Sequence, residues 1–240
     1  VSDDPRDAAN ARRKHRAAEE SGMRWLHRQF AATASQSEVD RAIDELAMDA
    51  TVHGIFVQFP LPAHLDAFEI VDRIPLQKDV DGLSTRSLGM LVRGEPVHAP
   101  ATPDGIVQVL ELYGIEMRGR TITIAGKSVE IARALALLFL TRDAASITLV
   151  DPDDPLLAVA ARNADILVSA AERSGFLTAE MVKPGATVVD AGYNRTPSGV
   201  VGDVDLKSVE PVARAIMPMP GGVGPATIAC LLQHTCNAAR

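Results

Sequence analysis

Cysteine is scarce in these 240 residues: only Cys230 and Cys236 occur, both in the last apolar segment. That excludes a disulfide-framed fold, favours a reducing compartment, and leaves the two thiols to be read as core residues. No apolar run approaches the roughly 18 residues that span a bilayer, and the amino-terminal stretch lacks a signal-peptide pattern. Membrane insertion and export therefore have no support, and the cytoplasm is the expected location. Positive charge is also in deficit, with 24 Lys and Arg against 31 Asp and Glu, a net charge of −7 and a pI near 5.4. A chain so balanced carries no diffuse basic field for nucleic acid. Among His15, His27, His53, His64, His98 and His234 there is no His-Glu-x-x-His spacing, and no paired-cysteine spacing accompanies them. No metal is expected, and the histidines read as scattered surface residues. A Gly-x-Ser-x-Gly elbow is missing too, which removes the usual hydrolase signal.

What is present is enough for a packed core, with hydrophobic residues at 47%. Short apolar runs alternate with helical segments, the pattern of a parallel α/β architecture. Helices are expected over 6–21, 38–48 (capped by Ser37), 66–74, 106–113, 129–141 and 226–239. Strands are expected over 52–57, 121–125, 147–151, 165–169 and 187–190, with Gly192 and the turn Pro197-Ser-Gly199 closing the sheet. Gly114 and Gly119 mark a boundary, so that 114–214 reads as a Rossmann-like unit separate from the rest. Gln58 follows Val57 at a carboxyl strand end, where open α/β sheets bind ligands, and its amide can both donate and accept. A polar strand cap is the plainer reading. Lys78-Asp-Val-Asp-Gly82 is by itself as consistent with a solvated turn as with a site. A lone helical lysine such as Lys14 is ordinarily a solvated charge.

The turn Gly126-Lys127-Ser128 falls between a strand and a helix, where backbone amides and a helix start can hold phosphate. It is neither a Walker loop, since position 121 is threonine, nor Gly-x-Gly-x-x-Gly. Asp151 ends the following strand, the place where many NAD-binding folds put the acid that bonds the ribose 2′-hydroxyl. Equally, Asp151-Pro-Asp-Asp154 reads as a cap for the next helix. Three glycines between Pro220 and Pro225 make a loop whose bare backbone can approach a ligand, or else a plain turn before the last helix.

Four ordered blocks carry a resemblance. His53-Gly-Ile-Phe-Val-Gln-Phe-Pro-Leu-Pro62, Lys78-Asp-Val-Asp-Gly82, Pro100-Ala-Thr-Pro103 and Met217-Pro-Met-Pro-Gly-Gly-Val-Gly-Pro-Ala-Thr227 together resemble the methylenetetrahydrofolate dehydrogenase/cyclohydrolase family. The resemblance implies two α/β domains with a cleft between them bridged by two long helices. One would be a catalytic folate domain of residues 1–113 with 215–240, and the other the Rossmann-like dinucleotide domain of 114–214. It places Val1 in the loop after the family's first strand, so that the opening strand and helix are expected to be missing. It implies oxidation of 5,10-methylenetetrahydrofolate by NADP, hydrolysis of the methenyl product to 10-formyltetrahydrofolate, a homodimer, and no nucleic-acid or membrane partner. Lys14 matches the lysine of the family's Tyr-x-x-x-Lys and would be catalytic, oriented by Gln58. Asp81 matches the pterin-binding aspartate. Pro220, Gly221 and Gly222 would line the substrate, and Gly126, Lys127, Ser128, Asp151, Thr102 and Gly224 the cofactor.

The chain departs from the pattern at several positions. Asn10 replaces the tyrosine, which removes a stacking surface for folate. Lys127 replaces arginine in Gly-Arg-Ser-x-x-Val-Gly-x-Pro, with Ile131, Ala132 and Ala134 for valine, glycine and proline. Asp151-Pro152 stands for His-Ser, and Glu172-Arg173-Ser174 for Gly-x-Pro. Arginine suits a 2′-phosphate better than lysine, and a carboxylate repels it, so NAD use stays open beside NADP. A cyclohydrolase-biased enzyme and a non-catalytic folate-binding paralogue are the other readings.

Overall fold

Alanine and straight-chain residues dominate Pro5–Glu20, and they form the first helix, α1. Gly22, at φ +75°, closes it while the Met23 amide reaches back to the Ala18 carbonyl at 2.9 Å. The computed structural model describes residues 1–2, 5–197 and 199–240, with only the backbone of 5–8. Asp3, Asp4 and the Asp7 side chain, read as acids at the start of α1, and Ser198, read as a turn residue, therefore lie outside the described residues. The chain divides into two compact units, Val1–Ala101 with Ile228–Arg240, and Thr102–Thr227. Among the described residues no helix is long and apolar enough to cross a membrane.

In the first unit α2 spans Gln36–Met48. Its cap is Ser35 rather than Ser37: the Ser35 amide and hydroxyl both donate to the Glu38 carboxylate, at 2.8 and 2.7 Å. The amphipathic stretch after Leu65 is α3, Ala67–Asp72, capped by Asp66, whose carboxylate accepts the Glu69 amide at 2.9 Å. A further helix, α4 at Thr85–Val92, was not expected, because its polar start masks the periodicity; Ser84 caps it. Ile70, Val71 and Ile74 pack with Val39, Ile43, Val52 and Ile55 into the core of this unit.

Residues 52–57 do not form the strand expected of them. Among the described residues Ile55 makes one parallel bridge, to Asp79, through its amide on the Lys78 carbonyl at 2.7 Å. A ladder needs a partner that stays extended, and the partner chain turns within three residues at Gly82.

The second unit begins within α5, Ala101–Leu112, and ends within α9, Val223–Ala238. Between them lie β1 (Thr121–Ala125), a π-helical turn (Val129–Arg133) running into α6 (Ala134–Leu140), β2 (Ser146–Val150), α7 (Leu157–Asn163) and β3 (Ile166–Ser169). After these come β4 (Thr187–Asp190), the hairpin strands β5 (Asn194–Thr196) and β6 (Gly199–Val201), α8 (Leu206–Val209) and β7 (Ala215–Met217). The wholly parallel sheet has the order β2-β1-β3-β4-β7. Its inner strands are β-branched and leucine runs without alternation, as burial on both faces demands. The four expected strands of this unit agree with β1 to β4 to within a residue at each end; β7 went unforeseen because three residues carry no period.

The order in which strands are added reverses at β1, with β2 on one side and β3 on the other, which makes the β1/β3 crevice the topological switch point. Ala125 is in register with Val150 and Ser169, and Ser169 with Asp190, so Gly126, Asp151, Ala170 and Ala191 emerge along one edge.

Two readings of single side chains need correction. Cys230 is buried but Cys236 is exposed, since six positions at about 100° each put them about 120° apart on α9. His98 and His234 are buried rather than superficial, their rings 4.9 Å apart.

Leu167, fully buried on the central strand β3, should cost about 2–5 kcal/mol when cut to alanine. Urea unfolding checks this as a lower midpoint at an unchanged slope.

Candidate active site

The Lys78–Gly82 segment is a clamped loop and not a solvated turn. Asp79, with no exposed surface, accepts the amides of Gly82 (3.0 Å) and Ser84 (2.9 Å) and the hydroxyl of Ser87 (2.6 Å). Gly82 sits at φ +67°, and a Cβ there would lie 2.6 Å from the Ala99 carbonyl, so no other residue fits. Asp81 is held between these anchors, its own carbonyl accepting the Ala101 amide at 3.1 Å. Burial pushes its carboxyl up to about 6, and Asp79 adds to the rise; Lys14, His234 and the Ala101 amide oppose it.

Lys14 comes from α1, one turn after the half-buried Asn10. Its Nζ donates to Gln58 Oε1 at 2.7 Å and stands 4.3 Å from the centre of the Phe56 ring. Gln58 is fixed in turn, its Nε2 donating to the Phe59 carbonyl at 2.9 Å. Trp25 backs this arrangement, 5.7 Å from Phe56 and stacked at 5.7 Å on His15. Burial lowers the Lys14 pKa, the Asp81 carboxylate holds it up, and Arg13 lowers it further. Lys14, Gln58 and Asp81 thus belong to one neighbourhood, with an amine made easier to deprotonate beside a carboxyl made harder to ionise. Such an amine can donate a hydrogen bond and, in its neutral form, take a proton.

A cavity of about 650 Å³ opens beside Lys14, Phe56, Gln58 and Trp25 and runs inward among Val39, Ile43 and Leu46. Asp81 is not in its wall, so the polar group and not the cavity's apolar depth marks the chemistry. Sequence patterns did not single out Phe56, Trp25 or Asp79; the signal for Asp79 was only its place in the charged turn.

In the second unit Gly126 stands at the switch point with φ +142°, where a Cβ would lie 2.5 Å from the Ala170 carbonyl. The backbone there is bare, as close approach by a phosphate requires, and the residues fit a dinucleotide. Ser128 caps the π-helical turn through the Ala132 amide at 3.3 Å. Lys127 and Asp151 pair at 2.5 Å, and Asp151 also accepts the Asp153 amide at 2.9 Å, which together hold its carboxyl below the usual range. α7 starts at Leu157, so Asp151 caps the turn after β2 and not that helix. Thr102 Oγ accepts from Thr227 Oγ at 3.0 Å. Pro220, Gly221 (φ +109°) and Gly222 form the turn before α9, and Gly224 lies in its first turn. A Cβ on Gly222 would meet the Pro218 carbonyl at 2.6 Å, which keeps that turn tight.

Residues 1–81 match the family model for the tetrahydrofolate dehydrogenase/cyclohydrolase catalytic domain, and residues 100–240 that for its NAD(P)-binding domain. A bifunctional FolD 2 protein of Frankia casuarinae is 45% identical over all 240 residues, which cover 83% of that protein. One from Bordetella avium is 40% identical, covering 100% of this chain and 84% of its own. The crystal structure of the Campylobacter jejuni bifunctional FolD enzyme aligns with a TM-score of 0.94 at 37% identity, over 99% of this chain and 84% of that one. The Trypanosoma brucei FolD structure, complexed with NADP and an inhibitor, aligns with a TM-score of 0.94 at 31% identity, with the same coverage of 99% and 84%.

Lys14 should titrate below 10.5, and Asp81→Asn should lower it further by removing the charge that supports the ammonium. NMR titration of the labelled lysine side chain reads this directly; a rise in the variant would contradict the account.

Proposed function

The chain belongs to the tetrahydrofolate dehydrogenase/cyclohydrolase family, and on that premise we propose that Lys14, Gln58 and Asp81 form the reacting centre of a bifunctional folate enzyme. It oxidises 5,10-methylenetetrahydrofolate and hydrolyses 5,10-methenyltetrahydrofolate to 10-formyltetrahydrofolate. The observation that carries the assignment is the 2.7 Å hydrogen bond from the buried-side amine of Lys14 to Gln58, beside Asp81. Family resemblance also supports a homodimer, and the scarcity of cysteine supports a cytoplasmic location.

The carboxylate form of Asp81 accepts hydrogen bonds from the pterin amino group and the neighbouring ring N–H, which fixes the folate. Bound NADP supplies the hydride acceptor; Gly126, Lys127, Ser128, Asp151, Thr102 and Gly224 are the residues assigned to hold it. Pro220, Gly221 and Gly222 are assigned to the folate. In the hydrolytic half-reaction neutral Lys14 takes a proton from water as the water oxygen bonds to the methenyl carbon. N5 then takes the proton held by Lys14 as the carbon–N5 bond breaks, the carbinolamine hydroxyl gives its own proton to solvent to become the carbonyl, and the formyl group remains on N10. Burial of Lys14 favours this role by enlarging its neutral fraction, while Gln58 takes one amine hydrogen and so sets the direction of the lone pair. Asn10 offers no aromatic face at its own position, so folate affinity rests more heavily on Asp81.

Lys14→Met should abolish both activities while folate binding stays within about tenfold, because a catalytic charge acts mainly in the transition state. Full activity in that variant, measured by methenyl absorbance and reduced nicotinamide formation, would sink the assignment. Folate affinity should fall as the pH drops through about 6, where Asp81 takes up its proton. Asp81→Asn should bind more weakly by about 1–3 kcal/mol at neutral pH and show no such inflection in a titration series.

A further inference from the structure

The turn after β2 is acidic, with Asp151, Asp153 and Asp154 within four residues. An acid at this point ordinarily selects for a free ribose 2′-hydroxyl and repels a 2′-phosphate. Here the acids are countered from the ends of β1 and β3. Lys127, following β1, pairs with Asp151 at 2.5 Å. Arg173, following β3, makes two parallel bonds to Asp153 at 2.7 and 2.6 Å, and its charge also reaches Asp151.

Arg173 is held in place with unusual care for a residue whose side chain is 44% exposed. Its amide donates to Asp203 at 2.8 Å and that of Ala171 to the other oxygen of Asp203 at 2.7 Å. Between them Glu172 is kept at φ +55°, a region that residues other than glycine rarely enter. Asp203 is itself fully buried and also accepts from the Ser169 hydroxyl and the Asn194 amide, both at 2.8 Å. The loop ending β3 is thus locked so as to present one guanidinium to the end of β2. As an exposed ion pair, Arg173 with Asp153 contributes little to stability.

We propose that Arg173 is a specificity-determining residue of the dinucleotide edge: its guanidinium offsets the acidic turn after β2 and gives the 2′-phosphate of NADP a planar fork that Lys127 lacks. The inference rests on the reading that this edge holds the cofactor. A guanidinium binds carboxylate and phosphate with the same two-pronged geometry, so Arg173 can turn from Asp153 to a 2′-phosphate without moving its backbone. NAD brings no such anion, and its binding should be nearly indifferent to the exchange.

The test is titration calorimetry of the full chain with adenosine 2′,5′-bisphosphate and with 5′-AMP. Arg173→Gln should weaken the bisphosphate about tenfold or more and AMP by less than about twofold, with thermal melting unchanged. The double variant Arg173→Gln/Asp153→Asn should recover only part of the loss, because it removes the uncompensated carboxylate without restoring the fork; full recovery would overturn the contact to the 2′-phosphate. Equal weakening of both ligands, or of neither, would overturn the role of Arg173 while leaving dinucleotide binding intact. A wild type that binds neither ligand would overturn the dinucleotide reading and this inference together.

Discussion

Lys14 and Asp81 both lie where burial penalises their charged forms, and each only partly relieves the other. The rest of the first unit can be understood as the means of holding them there. A lysine on an alanine-rich helix would otherwise extend into water, where it is best solvated. Phe56 under the ammonium, Trp25 behind Phe56 and the Gln58 side-chain oxygen supply the contacts that replace that water. Asp79 does the corresponding task for Asp81. By accepting three hydrogen bonds inside the protein it fixes the loop from below, and its own charge helps to keep the neighbouring carboxyl near neutrality.

In the second unit the same logic of buried carboxylates organises an edge rather than a single amine. Asp190 accepts the amides of Gly192, Asp203 and Val204, and Asp203 accepts groups from the end of β3, the loop after it and the start of β5. Gly192 and Gly202 leave the room these side chains occupy, since a Cβ on either would overlap a carboxylate. Burial pushes the Asp190 carboxyl up even though three amides favour its charge. A parallel sheet supplies the strand ends in register; the two aspartates set how the loops leave them.

Much of this was legible in the chain. β1 to β4 are short β-branched and leucine runs bounded by turn residues, which made their ends readable to within a residue; β1, β3 and β4 are buried on both faces, while β2 lies largely exposed at the sheet edge. The blocks around Gln58, Asp81 and Gly221 pointed to their chemistry through resemblance. Failures came where the cause was not local. Residues 52–57 have strand composition but meet a partner that turns away after one bridge. α4 begins with Ser84 and Thr85, and neither shows in sequence that Ser84 will cap it. His98 and His234 look superficial until their burial is seen.

By itself the sequence determined the α/β class, the places of most elements, the family, and which residue types were present to do chemistry. Those follow from local periodicity, glycine and proline positions, and short blocks of contiguous residues. Only the tertiary structure decided that Lys14 meets Gln58 across 44 positions, that Asp81 is raised toward neutrality, and that Arg173 reaches Asp153. Solvent exclusion and charge pairing depend on distance through space, and residues far apart in the chain carry no mark of it until the fold brings them together.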